Sequence, residues 1–246
     1  MPDDYYVSQY SGEELDALLS GAGAGTVRYD AAQTLTDAQK AQARGNIGAA
    51  PGGFGWGEEL PQLAPTAAEV DAITANSIVR YANDSTNLVD GDSGSYTRYA
   101  IVVTYTVNAT DKAQDVYGYG GGAHGDVMLH RGRFGNTWLP WEWVNPPMQF
   151  GVEYRTTERY LGKPVYVKVV DCGNLPASGL KNIAHGIANC KPIYVYGEMS
   201  NGNTLPYAVG TSYYISADGT YIQIYVTGDL SNQTVKATIK YTKTTD

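Results

Sequence analysis

Between Val235 and Tyr241 the chain alternates without a break. Val235, Ala237, Ile239 and Tyr241 fall on one face, and Lys236, Thr238 and Lys240 on the other. Only a strand with one buried face fits a period of two, because successive side chains of a strand point to opposite sides. Val165, Val167 and Val169 repeat the pattern around Tyr166 and Lys168. Tyr221 to Val226 and Ile193 to Tyr196 are further strands, Leu180 to Cys190 reads as a strand edge, and Ser216-Ala217-Asp218-Gly219 carries a turn signal. Upstream, strands are expected at Ser77 to Tyr81, Thr97 to Val107, Val116-Tyr117 and Asp126 to His130. Short strands with frequent turns predict an antiparallel β-sandwich for the last hundred residues.

The first fifty residues follow a different rule. Ser11-Gly12-Glu13-Glu14 and Thr36-Asp37-Ala38-Gln39 have the capping-box spacing, a hydroxyl at the cap and a carboxylate or amide three residues on. The first opens a helix carrying Leu15, Leu18 and Leu19, stopped by the run Gly21 to Gly25; the second runs through Lys40 and Ala43 to Gly45. Helices of about two turns are marginal alone in water. Identical chains around an axis can supply what they lack. Ala49 to Gly53 reads as a linker, and Thr66-Ala67-Ala68-Glu69 is a third box, opening a short helix through Ile73.

Composition excludes several functions. A net charge of −8 leaves no basic footprint for nucleic acid and no polybasic stretch for an anionic membrane. No apolar run approaches the ~20 residues that cross a bilayer, and the start, Met1-Pro2-Asp3-Asp4, has no secretory pattern, so synthesis in a cytoplasm is expected. Cys172 and Cys190 are too few for a disulfide framework and wrongly spaced for zinc; two buried thiols or one bridge both fit. The aromatic usage is lopsided, with 21 Tyr and 4 Trp against 3 Phe. Tyr and Trp keep one polar end and suit wet contact surfaces.

The candidate contact residues follow from that bias. Trp138, Trp141 and Trp143 offer flat rings to the C–H face of a sugar, or else form a core plate, and Arg131 either clamps a ligand or packs on them. Tyr117 and Tyr119 flank a glycine-rich turn, residues 117–125, which lacks the Lys and following helix of a phosphate loop. Tyr207 and Tyr213, with Tyr214 and Tyr221, are candidate contacts of the C-terminal part. His124, Asp126 and His130 read as surface polar groups rather than metal ligands, and His185 with either cysteine lacks the motif of a nucleophile and its base. Glu58, Glu59, Glu142, Glu153, Glu158 and Glu198 show no spacing that singles out a hydrolytic pair. No cofactor is expected.

Tyr29-Asp30-Ala31-Ala32-Gln33-Thr34-Leu35-Thr36-Asp37-Ala38-Gln39-Lys40-Ala41-Gln42-Ala43-Arg44-Gly45-Asn46-Ile47-Gly48-Ala49 resembles a helical segment that recurs beside the trimer axis of bacteriophage tail-fibre proteins; Gly45 stands where that family often has Ala. Gln114, Val116 and Tyr117, Met128-Leu129-His130-Arg131 and Trp138-Leu139-Pro140-Trp141 are similar to the pyocin-knob domain of such fibres, and Tyr154 to Asp171 resembles fibre head modules. The resemblance implies a mainly β homotrimer. Residues 1–50 would form a stem for attachment and trimerisation that docks on another virion protein, residues 54–147 an α+β knob, and residues 148–246 a β-sandwich head. It implies a receptor-binding virion protein that is not an enzyme and grips host cell-surface saccharide at several sites. The alternatives are a capsid head-fibre or decoration protein, and a polysaccharide-cleaving fibre.

Overall fold

The computed structural model describes residues 10–17, 34–46, 66–89, 92, 94–119, 126–206 and 213–246. The chain forms two compact units, Met1–Glu59 and Leu60–Asp246. In the first, α1 (residues 12–17) and α2 (Asp37–Asn46) both begin at the expected boxes. The Glu14 amide donates to Ser11 Oγ at 3.2 Å and the Ser11 amide to Glu14 Oε2 at 2.8 Å. Thr36 and Gln39 exchange the same pair of bonds at 3.3 and 2.9 Å. Leu18, Leu19, residues 29–33 and 47–49, Glu58 and Glu59 lie outside the described residues.

The second unit opens with α3 (Ala67–Asp71), capped by Thr66, whose hydroxyl accepts from the Glu69 amide. Among the described residues the unit is otherwise β. Its strands are β1 (Ser77–Ala82), β2 (Tyr99–Thr106), β3 (Lys112–Gly118), β4 (Met128–Phe134), β5 (Thr137–Trp138), β6 (Glu142–Trp143), β7 (Glu153–Tyr160), β8 (Lys163–Asn174), β9 (Gly179–Ala184), β10 (Cys190–Met199), β11 (Thr204–Leu205), β12 (Tyr213–Ala217), β13 (Tyr221–Val226) and β14 (Thr234–Lys243). The larger sheet runs β1-β2-β3-β4-β6-β7-β8-β14-β10-β11, with β5 added on β4. Its pairs are antiparallel except β6 with β7, which meet in parallel at Trp143 and Thr156. The smaller sheet has the order β12-β13-β9, also antiparallel.

The alternation read in the sequence places the cores. Val235, Ala237, Ile239 and Tyr241 of β14 are fully buried and pack with Ile222, Ile224 and Val226 of the smaller sheet, giving a two-layered sandwich. A second core gathers Val70 of α3, Tyr81, Val102, Val116, Leu129, Trp143 and Tyr154, and takes in Val167 of β8. Tyr154 and Val167 are paired across β7 and β8, so the face of that sheet opposite the sandwich core belongs to the second core.

Candidate functional site

Arg131 organises the tryptophan region from the inside. It is 7% exposed, and its guanidinium carbon lies 4.1 Å from the Trp138 ring centre and 4.0 Å from that of Trp141. Its Nε donates to Gln114 Oε1 at 3.0 Å, and one terminal nitrogen also reaches Gln114 and the Asp71 carboxylate. Gln114, fully buried, passes the contact on by donating to the Val70 carbonyl at 2.9 Å and to Thr104 Oγ1 at 3.2 Å. Trp138 Nε1 donates to the Asp71 carbonyl at 3.3 Å. The planar fork of arginine suits this place, because it stacks on two rings while its edge bonds to amide and carboxylate. The arrangement ties α3 to the sheet and commits Nε and one terminal nitrogen of Arg131 to the fold.

Trp143 needs a correction as a contact residue. It is 5% exposed and meets Tyr154 edge-to-face at 5.2 Å in the second core. Its register partner Leu129 on β4 is fully buried on the same face, so that face of the strand pair is core. Trp138 and Trp141 are half-buried, Trp141 against the same core, and Tyr117 and Tyr119 are exposed. Tyr213 also turns inward, packing against the sandwich core, because the partner next to it on β12, Tyr214, takes the outward position. Tyr207, His124 and residues 120–125 lie outside the described residues.

The open face of the smaller sheet collects a different set. Register places Leu180, Tyr225 and Tyr214 in one cross-strand row, Asn182, Gln223 and Ser216 in the next, and Ala184 beside Tyr221 in the third. Tyr214 and Tyr225 stack at 5.4 Å with 17° between their planes, and Tyr214 is 47% exposed. Ser216 Oγ donates to Gln223 Oε1 at 3.4 Å. No residue of these rows is charged. The one lysine of β9, Lys181, points the other way and donates to the carbonyls of Cys172 and Asn174. The face therefore presents flat rings, amides and a hydroxyl. The sequence singles out Tyr214 and Tyr221 as candidates and passes over Asn182, Gln223 and Tyr225, whose outward direction depends on pairing that spans some forty residues.

The chain is similar to pyocin tail fibres. An N-truncated R2-type pyocin tail fibre matches 71% of this chain over 94% of its own, with 13% identity and a TM-score of 0.23. The C-terminal part of the R2 pyocin fibre of P. aeruginosa matches 78% over 69%, with 13% identity and a TM-score of 0.27. The R1 pyocin fibre of P. aeruginosa matches 70% over 64%, with 10% identity and a TM-score of 0.23. No family model and no curated protein matches the sequence. Backbones that superpose this loosely carry no argument about function, which has to come from this chain's own residues.

Three of the candidate carboxylates, Glu142, Glu153 and Glu158, are engaged in ion pairs. Glu142, 7% exposed, accepts from Arg155 Nε at 3.0 Å and from Arg159 at 2.9 and 2.8 Å. Glu158 pairs with Lys240 at 2.7 Å, and Glu153 with Lys243 and the Tyr241 hydroxyl. His130 Nδ1 meets Asp115 at 2.7 Å. His185 is buried with both ring nitrogens occupied: Nδ1 accepts from the Ile187 amide at 3.1 Å, so Nε2 carries the proton and donates to the Asp218 carbonyl at 3.2 Å. Cys172 and Cys190 are free and buried, and burial pushes each thiol up to about 11. Protonated at neutral pH, they are poor nucleophiles.

Proposed function

We propose that this chain is a fibre protein of a phage or phage-tail-like particle, and that it attaches to a cell surface by binding neutral saccharide at the open face of β9, β12 and β13. The observation that carries the reading is a charge-free row system on a chain of net charge −8, with stacked Tyr214 and Tyr225 beside Asn182 and Gln223. A sugar ring offers an apolar C–H face that lies on an aromatic plane, and its hydroxyls meet amides that both donate and accept. Tyrosine supplies this area at low side-chain entropy cost. Similarity of residues 29–49 to the axial segment of tail fibres supports a trimer, in which three weak sites add because the later contacts are intramolecular. In this reading residues 1–50 dock on another virion protein, residues 54–147 and 148–246 serve as knob and head, and the chain catalyses nothing. The engaged states of Glu142, Glu153 and Glu158 support the last point.

The test is adsorption of purified protein to host cells by the double substitution Tyr214→Ala, Tyr225→Ala. Each site is expected to weaken about tenfold, the equivalent of ~1.4 kcal/mol, with an unchanged melting temperature. Unchanged adsorption overturns the assignment. So does a trimer that falls apart on substitution, since the face would then be a contact between copies.

A further inference from the structure

On the opposite face of the larger sheet, one hollow is bordered by charges that do not meet. Register sets Lys236 of β14 directly across from Glu198 of β10 on one side and Asp171 of β8 on the other. Opposed residues on neighbouring antiparallel strands have Cβ atoms about 5 Å apart, within reach of an ion pair. Yet the Lys236 ammonium lies over the Phe150 ring, 4.8 Å from its centre. Asp171 is occupied by the Gly173 amide at 2.9 Å. Glu198 is exposed, and its carboxylate closes neither an ion pair nor a hydrogen bond among the described residues. Between Glu198 and Lys236 opens a hollow of about 300 Å³, completed by Ser200, Gly202 and Thr234. Tyr196, two positions before Glu198 on the same face, and Phe150 add exposed rings to its surroundings.

We infer that this hollow is a second saccharide subsite, one that recognises two adjacent hydroxyls of a neutral hexopyranoside. One hydroxyl donates to the Glu198 carboxylate, and its neighbour accepts from the Lys236 ammonium. A lone anion is repelled by Glu198 and a lone cation by Lys236, whereas a donor and an acceptor side by side on an uncharged ring satisfy both at once. The volume stands at the low end for ligand pockets, the size for one ring rather than a long chain. This inference rests on the saccharide reading of the molecule but not on the tyrosine face, which lies across the sandwich.

The experiment titrates the full chain with methyl α-mannopyranoside, methyl β-galactopyranoside and methyl β-glucopyranoside, followed by saturation-transfer NMR and calorimetry. At least one is expected to bind at millimolar affinity. Glu198→Gln and Lys236→Gln should each weaken it about fivefold or more, by loss of one charge-assisted bond, with unchanged melting for Glu198→Gln, whose carboxylate holds no other group of the fold. In the Tyr214→Ala, Tyr225→Ala background, which removes the contacts of the other face, glycoside binding should persist and Glu198→Gln should still weaken it about fivefold or more. Absence of binding at about 50 mM of every glycoside, equal binding by Glu198→Gln, or loss of binding in the tyrosine variant each overturns the inference. The last outcome would place the signal on the tyrosine face, while a failed titration with intact cell adsorption would leave the proposed function standing.

Discussion

The two roles a tryptophan can take are separated here by one hydrogen-bonded neighbour and one strand register. Trp143 sits opposite Leu129 and against Tyr154, so its ring is enclosed on both sides. Trp138 instead lies on a two-residue strand beside exposed Thr137 and Leu139, with its indole nitrogen held by the Asp71 carbonyl. Nothing in Trp-Leu-Pro-Trp-Glu-Trp distinguishes them, because alternation puts Trp141 and Trp143 on the same side without saying whether that side is wet. Truncating Trp143 to alanine should cost about 3–5 kcal/mol through the cavity it leaves. Urea unfolding checks this, and a change under about 1 kcal/mol would show that the ring is not a core element. Arg131 was legible as a partner of the tryptophans, but its enclosure was not. That depends on Gln114 and Asp71, which lie 17 and 60 residues away.

At the level of elements, the sequence speaks clearly wherever burial and hydropathy coincide. β14, β13 and the three capped helices lie where alternation and capping boxes put them. β3 is longer than Val116-Tyr117 suggests, because its inward positions include Lys112 and Gln114, buried polar residues that erase the apolar signal. β7, Glu153–Tyr160, is masked in the same way by charged residues that pair laterally. The β12–β13 turn was legible in full. Its Asp218 carboxylate accepts from the amides of Thr220 and Tyr221, both at 2.7 Å, and these donors hold its pKa below the ordinary carboxylate range. A lowered folded pKa means stability that is present above the unfolded value, about 3.9, and lost as pH falls through the folded one. Asp218→Asn should therefore melt lower than the parent near pH 6, with a gap that closes toward pH 2. A gap independent of pH would show that the charge on Asp218 contributes nothing to the turn.

For the whole molecule, the decisive quantity is where charge is missing. A chain carrying −8 repels its own copies and any anionic surface at long range, and salt screens that repulsion over about 8–10 Å. Binding through ion pairs would weaken steeply as salt rises, since each pair depends on the unscreened field. Contacts made by Tyr214, Tyr225, Asn182 and Gln223 carry no net charge and depend on area and hydrogen bonds instead. Salt should then leave attachment nearly unchanged, or strengthen it slightly by quieting the background repulsion. Adsorption of the purified protein, measured from 50 to 500 mM NaCl, is expected to vary by less than about twofold, and light scattering over the same range should give a mass three times that of the chain. A fall of tenfold or more would mean that ionic contacts hold the surface and that the uncharged face is not the grip. A single-chain mass would remove the multivalency on which millimolar sites depend.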